Sequence, residues 1–215
     1  MKPIQYTLAA LLAVSALPSL AQTTAAAAEP EFTITGNLGI FSDYRFRGIS
    51  QTNKLPAIQG GVDLALKNGL YLGNWNSNVD STMYNGASIE MDFYGGYKAT
   101  FGDFGLDVGG IYYYYPGSNA SLANGTALAN AKTTSLHTGR VDNTEVYIGG
   151  SWKFLSLKYF HSVGDYFSVP HTGGSGYLDL SANYDLGDGW GINGHLGHLN
   201  FKNFHNGRTS GDYTD

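Results

Sequence analysis

Charged residues in this chain are sparse and evenly spaced. Asp43, Arg45 and Arg47 occupy alternate positions, as do Glu90 and Asp92, and single charges stand at Asp63, Lys98, Asp107, Glu145, Lys158 and Asp179. Residues two apart share one face of a strand, so each set presents its charges to a single surface. Mixed charge on one face suits two kinds of chemistry. It lines a water-filled constriction that selects ions by their charge, or it pairs into salt bridges that close the same space.

Catalysis and metal binding compete with that reading and find less support. His161, His171, His195, His198 and His205 fall on or near expected strand ends, but no nucleophile elbow or Ser, His and acid constellation accompanies them. His195 and His198 lie three apart and so point to opposite faces of a strand, which argues against a shared metal. The run from Gly189 to Gly194 satisfies G-x-G-x-x-G, yet the phosphate-binding motif requires a helix to begin there, and the alternation through Leu196 indicates a strand. No enzyme activity, cofactor or metal is expected.

The elements that must carry these charges are strands. From Phe32 to Phe46 the even positions include Phe32, Ile34, Leu38, Ile40, Tyr44 and Phe46, while the odd ones include Thr33, Thr35, Asn37, Asp43 and Arg45, which predicts one long strand. The alternation recurs over 57–66, 88–99, 104–114, 146–152, 155–159, 178–184 and 190–196. A weaker stretch, 70–79, places Tyr71, Gly73 and Trp75 on one parity and Asn74, Asn76 and Asn78 on the other. Nine strands result. Phe46, Trp75, Tyr112, Trp152 and Trp190 fall near strand ends, where they are expected to form interfacial girdles.

Connector lengths alternate. Short ones lie at 67–69, 102–103, 153–154 and 186–189, with Asn68-Gly69 and Gly102-Asp103 as tight-hairpin chemistry. Long ones lie at 48–54, 80–86, 116–142, 165–174 and 200–212. Outer-membrane barrels segregate loops in this way, whereas a soluble sandwich has no reason to do so. The last residues, Asp212 to Asp215, are expected to end an external loop and start another strand. Because bacterial barrels usually have an even strand number, further closing strands are expected beyond this point.

The N-terminus sets the compartment. Lys2, an apolar segment from Leu8 to Leu17 and small residues at Ser19 and Ala21 form a secretory signal peptide over 1–21, too short for a spanning helix. An unstructured lead over 22–31 and a single domain over 32–215 follow. Without the signal the chain keeps 11 basic and 17 acidic residues, a net charge of −6, which disfavours nucleic acid as a partner. The absence of cysteine excludes a disulfide framework. Thirty glycines stand beside 16 Tyr, 11 Phe and 3 Trp, a mixture that barrels use for close strand approach and for girdles.

The run Ser42-Asp43-Tyr44-Arg45-Phe46-Arg47-Gly48-Ile49-Ser50-Gln51-Thr52 resembles the N-terminal signature of the TorF-type porins, a family of proteobacterial outer-membrane proteins. The segments 59–64, 69–80, 164–167 and 195–198 match in order, so the resemblance spans essentially the whole chain after the signal. It implies an all-β, antiparallel transmembrane barrel in the outer membrane and says little about cargo. The resulting expectation is a narrow passive channel for small polar solutes or ions. Its lining candidates are Asp43, Arg45, Arg47, Asp63, Glu90, Asp92, Lys98, Glu145, Lys158 and Asp179, and lipid is its other partner. The alternatives are a non-conducting structural or receptor barrel, a lipid-modifying barrel enzyme, and a soluble secreted barrel for an apolar ligand. The sequence leaves the oligomeric state open.

Overall fold

A computed structural model describes residues 30–119, 139–204 and 211–215. The segment expected to be a signal peptide, most of the expected lead, most of the 116–142 connector and His205 lie outside the described residues. The strands are β1 (Phe32–Phe41), β2 (Arg45–Phe46), β3 (Ile49–Ser50), β4 (Ala57–Leu66), β5 (Leu70–Asn78), β6 (Ile89–Phe101) and β7 (Phe104–Tyr114). They continue as β8 (Asp142–Trp152), β9 (Leu155–Ser162), β10 (Gly176–Gly187), β11 (Trp190–Asn200) and β12 (Tyr213–Thr214). Ten of them form one antiparallel sheet in the order β1-β4-β5-β6-β7-β8-β9-β10-β11-β12, and β2 and β3 pair separately as a hairpin.

Local chemistry explains the tight turns. Between β4 and β5, Gly69 takes φ +95, its amide donates to the Leu66 carbonyl at 3.0 Å, and Asn68 Oδ1 accepts from the Leu70 amide at 3.1 Å. All nine expected strands are present, including the weak one over 70–79, and the strand start expected near Asp212 is β12. One expectation fails: the first strand ends at Phe41 rather than Phe46, because residues 42–56 leave the sheet and fold back as the β2–β3 hairpin.

The two faces of the sheet differ in chemistry. Leu38, Ile40 and Trp190 are 82%, 78% and 74% exposed on the outer face, and they are joined there by Ile34, Val62, Leu72, Ile148, Leu180 and Ile192. The opposite face carries Asp63, Tyr94, Glu90, Asp92, Asp107, Glu145, Lys158 and Asp179, of which Glu90, Asp92 and Glu145 are buried. A water-soluble fold buries its apolar face. This sheet does the reverse.

The sheet is strongly curved and is not closed. Residues 44–47 touch β5 and β6 through Tyr44, and β7, β8, β9 and β10 through Phe46 and Arg47. Six neighbouring strands would span about 24 Å if flat, which a four-residue segment does not cover. The strands therefore wrap around the hairpin. Edges β1 and β12 are not hydrogen-bonded to each other, although Tyr213 Oη donates to the Arg47 carbonyl at 3.0 Å. The buried apolar cluster gathers at the end of the long connectors, around Tyr44, Tyr84, Tyr113, Tyr115, Tyr166 and Phe167.

Candidate functional site

The inner face is built by strand alternation together with glycine. Four inward tyrosines lie across a glycine of the next strand: Tyr94 over Gly73, Tyr71 over Gly96, Tyr147 over Gly109 and Tyr177 over Gly197. A Cβ at any of these glycines would collide with the ring or its hydroxyl. The glycines thus let tyrosines lie flat and aim their hydroxyls at inward carboxylates. Tyr94 Oη donates to Asp63 at 2.5 Å, and Tyr71 Oη donates to Asp107 at 2.6 Å while also contacting Tyr147 Oη.

At the short-turn end, Lys158 Nζ binds Asp107 at 2.6 Å and lies 4.7 Å from the centre of the Tyr147 ring. Lys98 stands opposite Asp107 in the strand register, with its ammonium 4.6 Å from the Tyr71 ring centre. Lys98, Asp107 and Lys158 line one cavity of about 300 Å³.

The long-connector end is filled by the hairpin. Arg47 makes a two-pronged bond to Glu145, Nη1 to Oε1 at 2.9 Å and Nη2 to Oε2 at 2.7 Å, and Nη1 also donates to Tyr166 Oη at 3.0 Å. The rings of Phe46, Phe160, Tyr166 and Tyr177 surround its guanidinium. Burial alone would lower the Arg47 pKa, but Tyr166 and Glu145 raise it above the ordinary arginine range, so the charge is permanent. Tyr44 Oη donates to Glu90 Oε1 at 3.1 Å, and burial followed by the Glu90 charge pushes the Tyr44 hydroxyl well up, keeping it a donor.

A second cavity, of about 520 Å³, lies beside the hairpin and is lined by Arg45, Arg47, Tyr177, Asp179, His195 and Asp215 among others. His195 Nε2 is 2.8 Å from Asp179 Oδ2 and 3.1 Å from Tyr177 Oη. As the spacing predicts, His198 points to the other face, where its Nδ1 meets Thr214 Oγ1 at 2.9 Å. No group of three or more metal-ligating side chains occurs among the described residues.

Eight of the ten expected lining residues face inward, and the exceptions come from the hairpin. Arg47 is inward but pinned within the hairpin plug, whereas Asp43 ties the hairpin together and Arg45 is 55% exposed beside it. Asp43 accepts from Ser50 Oγ at 2.6 Å and Thr52 Oγ1 at 3.2 Å and pairs with Arg45 at 2.9 Å. The Ser50 bond, then Thr52 and Arg45, outweigh burial and hold its carboxyl below the ordinary range. Two expected girdle residues also turn inward. Phe46 packs on Tyr113 and Phe167, and Trp75 packs on Tyr44, because the chain reverses at 42–56 and because β5 presents Asn74, Asn76 and Asn78 outward. Strand alternation missed Tyr44, Tyr113 and Tyr166. Only the polar spacing of 42–52, poor for a membrane strand, hints at the hairpin.

A curved antiparallel sheet, apolar outside and ionic inside, with a hairpin inserted at one end, is the class of fold this site defines. The chain belongs to the family described as "Bacterial protein of unknown function (Gcw_chp)", which matches residues 25–215. No curated protein and no solved structure matches it.

Proposed function

We propose that this chain is an exported outer-membrane β-barrel protein that forms a narrow passive channel for small polar solutes or ions, constricted at its external end by the β2–β3 hairpin. The observation that carries this reading is the inversion of the sheet, with large hydrophobics exposed along the outer face and charges buried on the inner one. Lipid suits the first face, and a lumen suits the second. The alternating connector lengths and the resemblance to TorF-type porins support the same location.

A second reading, a barrel that does not conduct, is favoured by one specific observation: Arg47 and Glu145 neutralise each other inside the space a solute would cross. The two readings share a location. Cell fractionation tests it, with recovery in outer membranes and heat-modifiable gel mobility expected. Free periplasmic protein would defeat both readings.

A further inference from the structure

Glu90 and Asp92 lie two residues apart on the inner side of β6, and both are buried. Neither pairs with a Lys, Arg or His among the described residues. Tyr44 serves Glu90 Oε1, but Glu90 Oε2 and Asp92 Oδ1 are fully inaccessible and meet no protein donor. The neighbours supply no missing positive charge. The hairpin offers Tyr44, the β5–β6 connector Tyr84, and the β7 side Tyr113 and Tyr115, all as hydroxyls. β5 offers uncharged Trp75 and Ser77, β8 offers another acid, Glu145, and Arg47 is already engaged by that acid.

An ionised carboxylate only accepts hydrogen bonds, so two of them cannot bond to each other. Two charges buried together without a cation are also prohibitively costly. We propose that Glu90 and Asp92 share one proton at neutral pH and form a latch that holds the inserted hairpin in place. The protonated carboxyl donates to its partner, and the partner's remaining oxygen accepts from Tyr44 of the hairpin. Removing the proton leaves two adjacent anions beside Glu145, and hydration relieves them only when the hairpin and its Tyr44 withdraw.

The inference stands on the buried pair alone and is independent of conduction. Linkage gives its sign: where the folded chain keeps a proton that the unfolded chain releases, stability falls as pH rises, by about tenfold in the unfolding equilibrium per pH unit. The test uses the full chain refolded in detergent. Infrared spectra near neutral pH should show a protonated-carboxyl stretch that disappears in Asp92→Asn and in Glu90→Gln. Each of these variants carries its own amide donor, so each should also lose the alkaline slope of unfolding. A wild type without the band overturns the proposal, as do equal slopes in wild type and variants. Stabilisation of the wild type alone by sodium or calcium chloride at constant ionic strength would place a metal cation there and overturn it too. If neither variant folds, the wild-type spectrum decides.

Discussion

Arg47 and Glu145 stand 98 positions apart in sequence and meet through two hydrogen bonds, with side chains only 4% and 1% exposed. The contact joins the hairpin to a strand four places away from β4 in the sheet, so it fixes the hairpin inside the curve. Removing one partner leaves an uncompensated buried charge. Arg47→Ala should therefore destabilise the fold by about 3–5 kcal/mol. The double change Arg47→Met with Glu145→Leu, which removes both charges and keeps volume, should cost much less. Urea unfolding of the three chains checks the order.

The tyrosine and glycine pairs make a steric prediction. Gly73→Val drives a side chain into the Tyr94 ring and should break its bond to Asp63, and Gly109→Val drives one into the Tyr147 ring and should break its contact with Tyr71 Oη. Overpacking of this kind costs about 1–3 kcal/mol. Gly194→Val, at a strand position with open space, should be close to neutral. Thermal melts compare the three.

Much of this arrangement is legible in the sequence. The alternation from Ile58 to Leu66 or from Ile89 to Ala99 follows directly from the two-residue period of a strand, and the tight turns follow from Asn68-Gly69 and Gly102-Asp103. The hairpin is not legible, because residues 42–47 continue the same period while leaving the sheet. Positive φ at Arg47 and Gly48 turns the chain, and only the distant partners Glu90 and Glu145 reward the insertion. The inward turn of Tyr71 and Trp75 was obscured for another reason. On β5 the alternation points the wrong way: Asn74, Asn76 and Asn78 form a clear polar side, yet they face outward, and large aromatics suit a lumen as well as a lipid face.

Asp43 gives a pH prediction of the opposite sign to the carboxyl pair. Its folded pKa lies below the ordinary carboxylate value, so its contribution is present above that value and is lost as pH falls through the lowered one. Wild type should lose hairpin stability below about pH 4, whereas Asp43→Asn should start weaker and converge with it in acid. Proteolysis of the 42–56 segment across that range reads the difference.

The two faces predict opposite tolerances for charge. Ile148→Lys puts a charge mid-strand on the outer face and should cost about 2–4 kcal/mol of folding in a bilayer. Thr35→Lys, facing inward opposite Asp63, should be tolerated. A soluble chain would accept Ile148→Lys without loss, so refolding yields in liposomes separate the two accounts.

The central claim, a narrow channel constricted by the hairpin, is tested most directly by single-channel conductance of the full chain in planar bilayers, wild type beside Arg47→Ala. Without Arg47 the charge of Glu145 no longer faces a guanidinium, and the hairpin loses its anchor. A small wild-type conductance that grows and becomes more cation-selective in Arg47→Ala is the predicted result. Protein that inserts with heat-modifiable mobility yet passes no current in either form would contradict it.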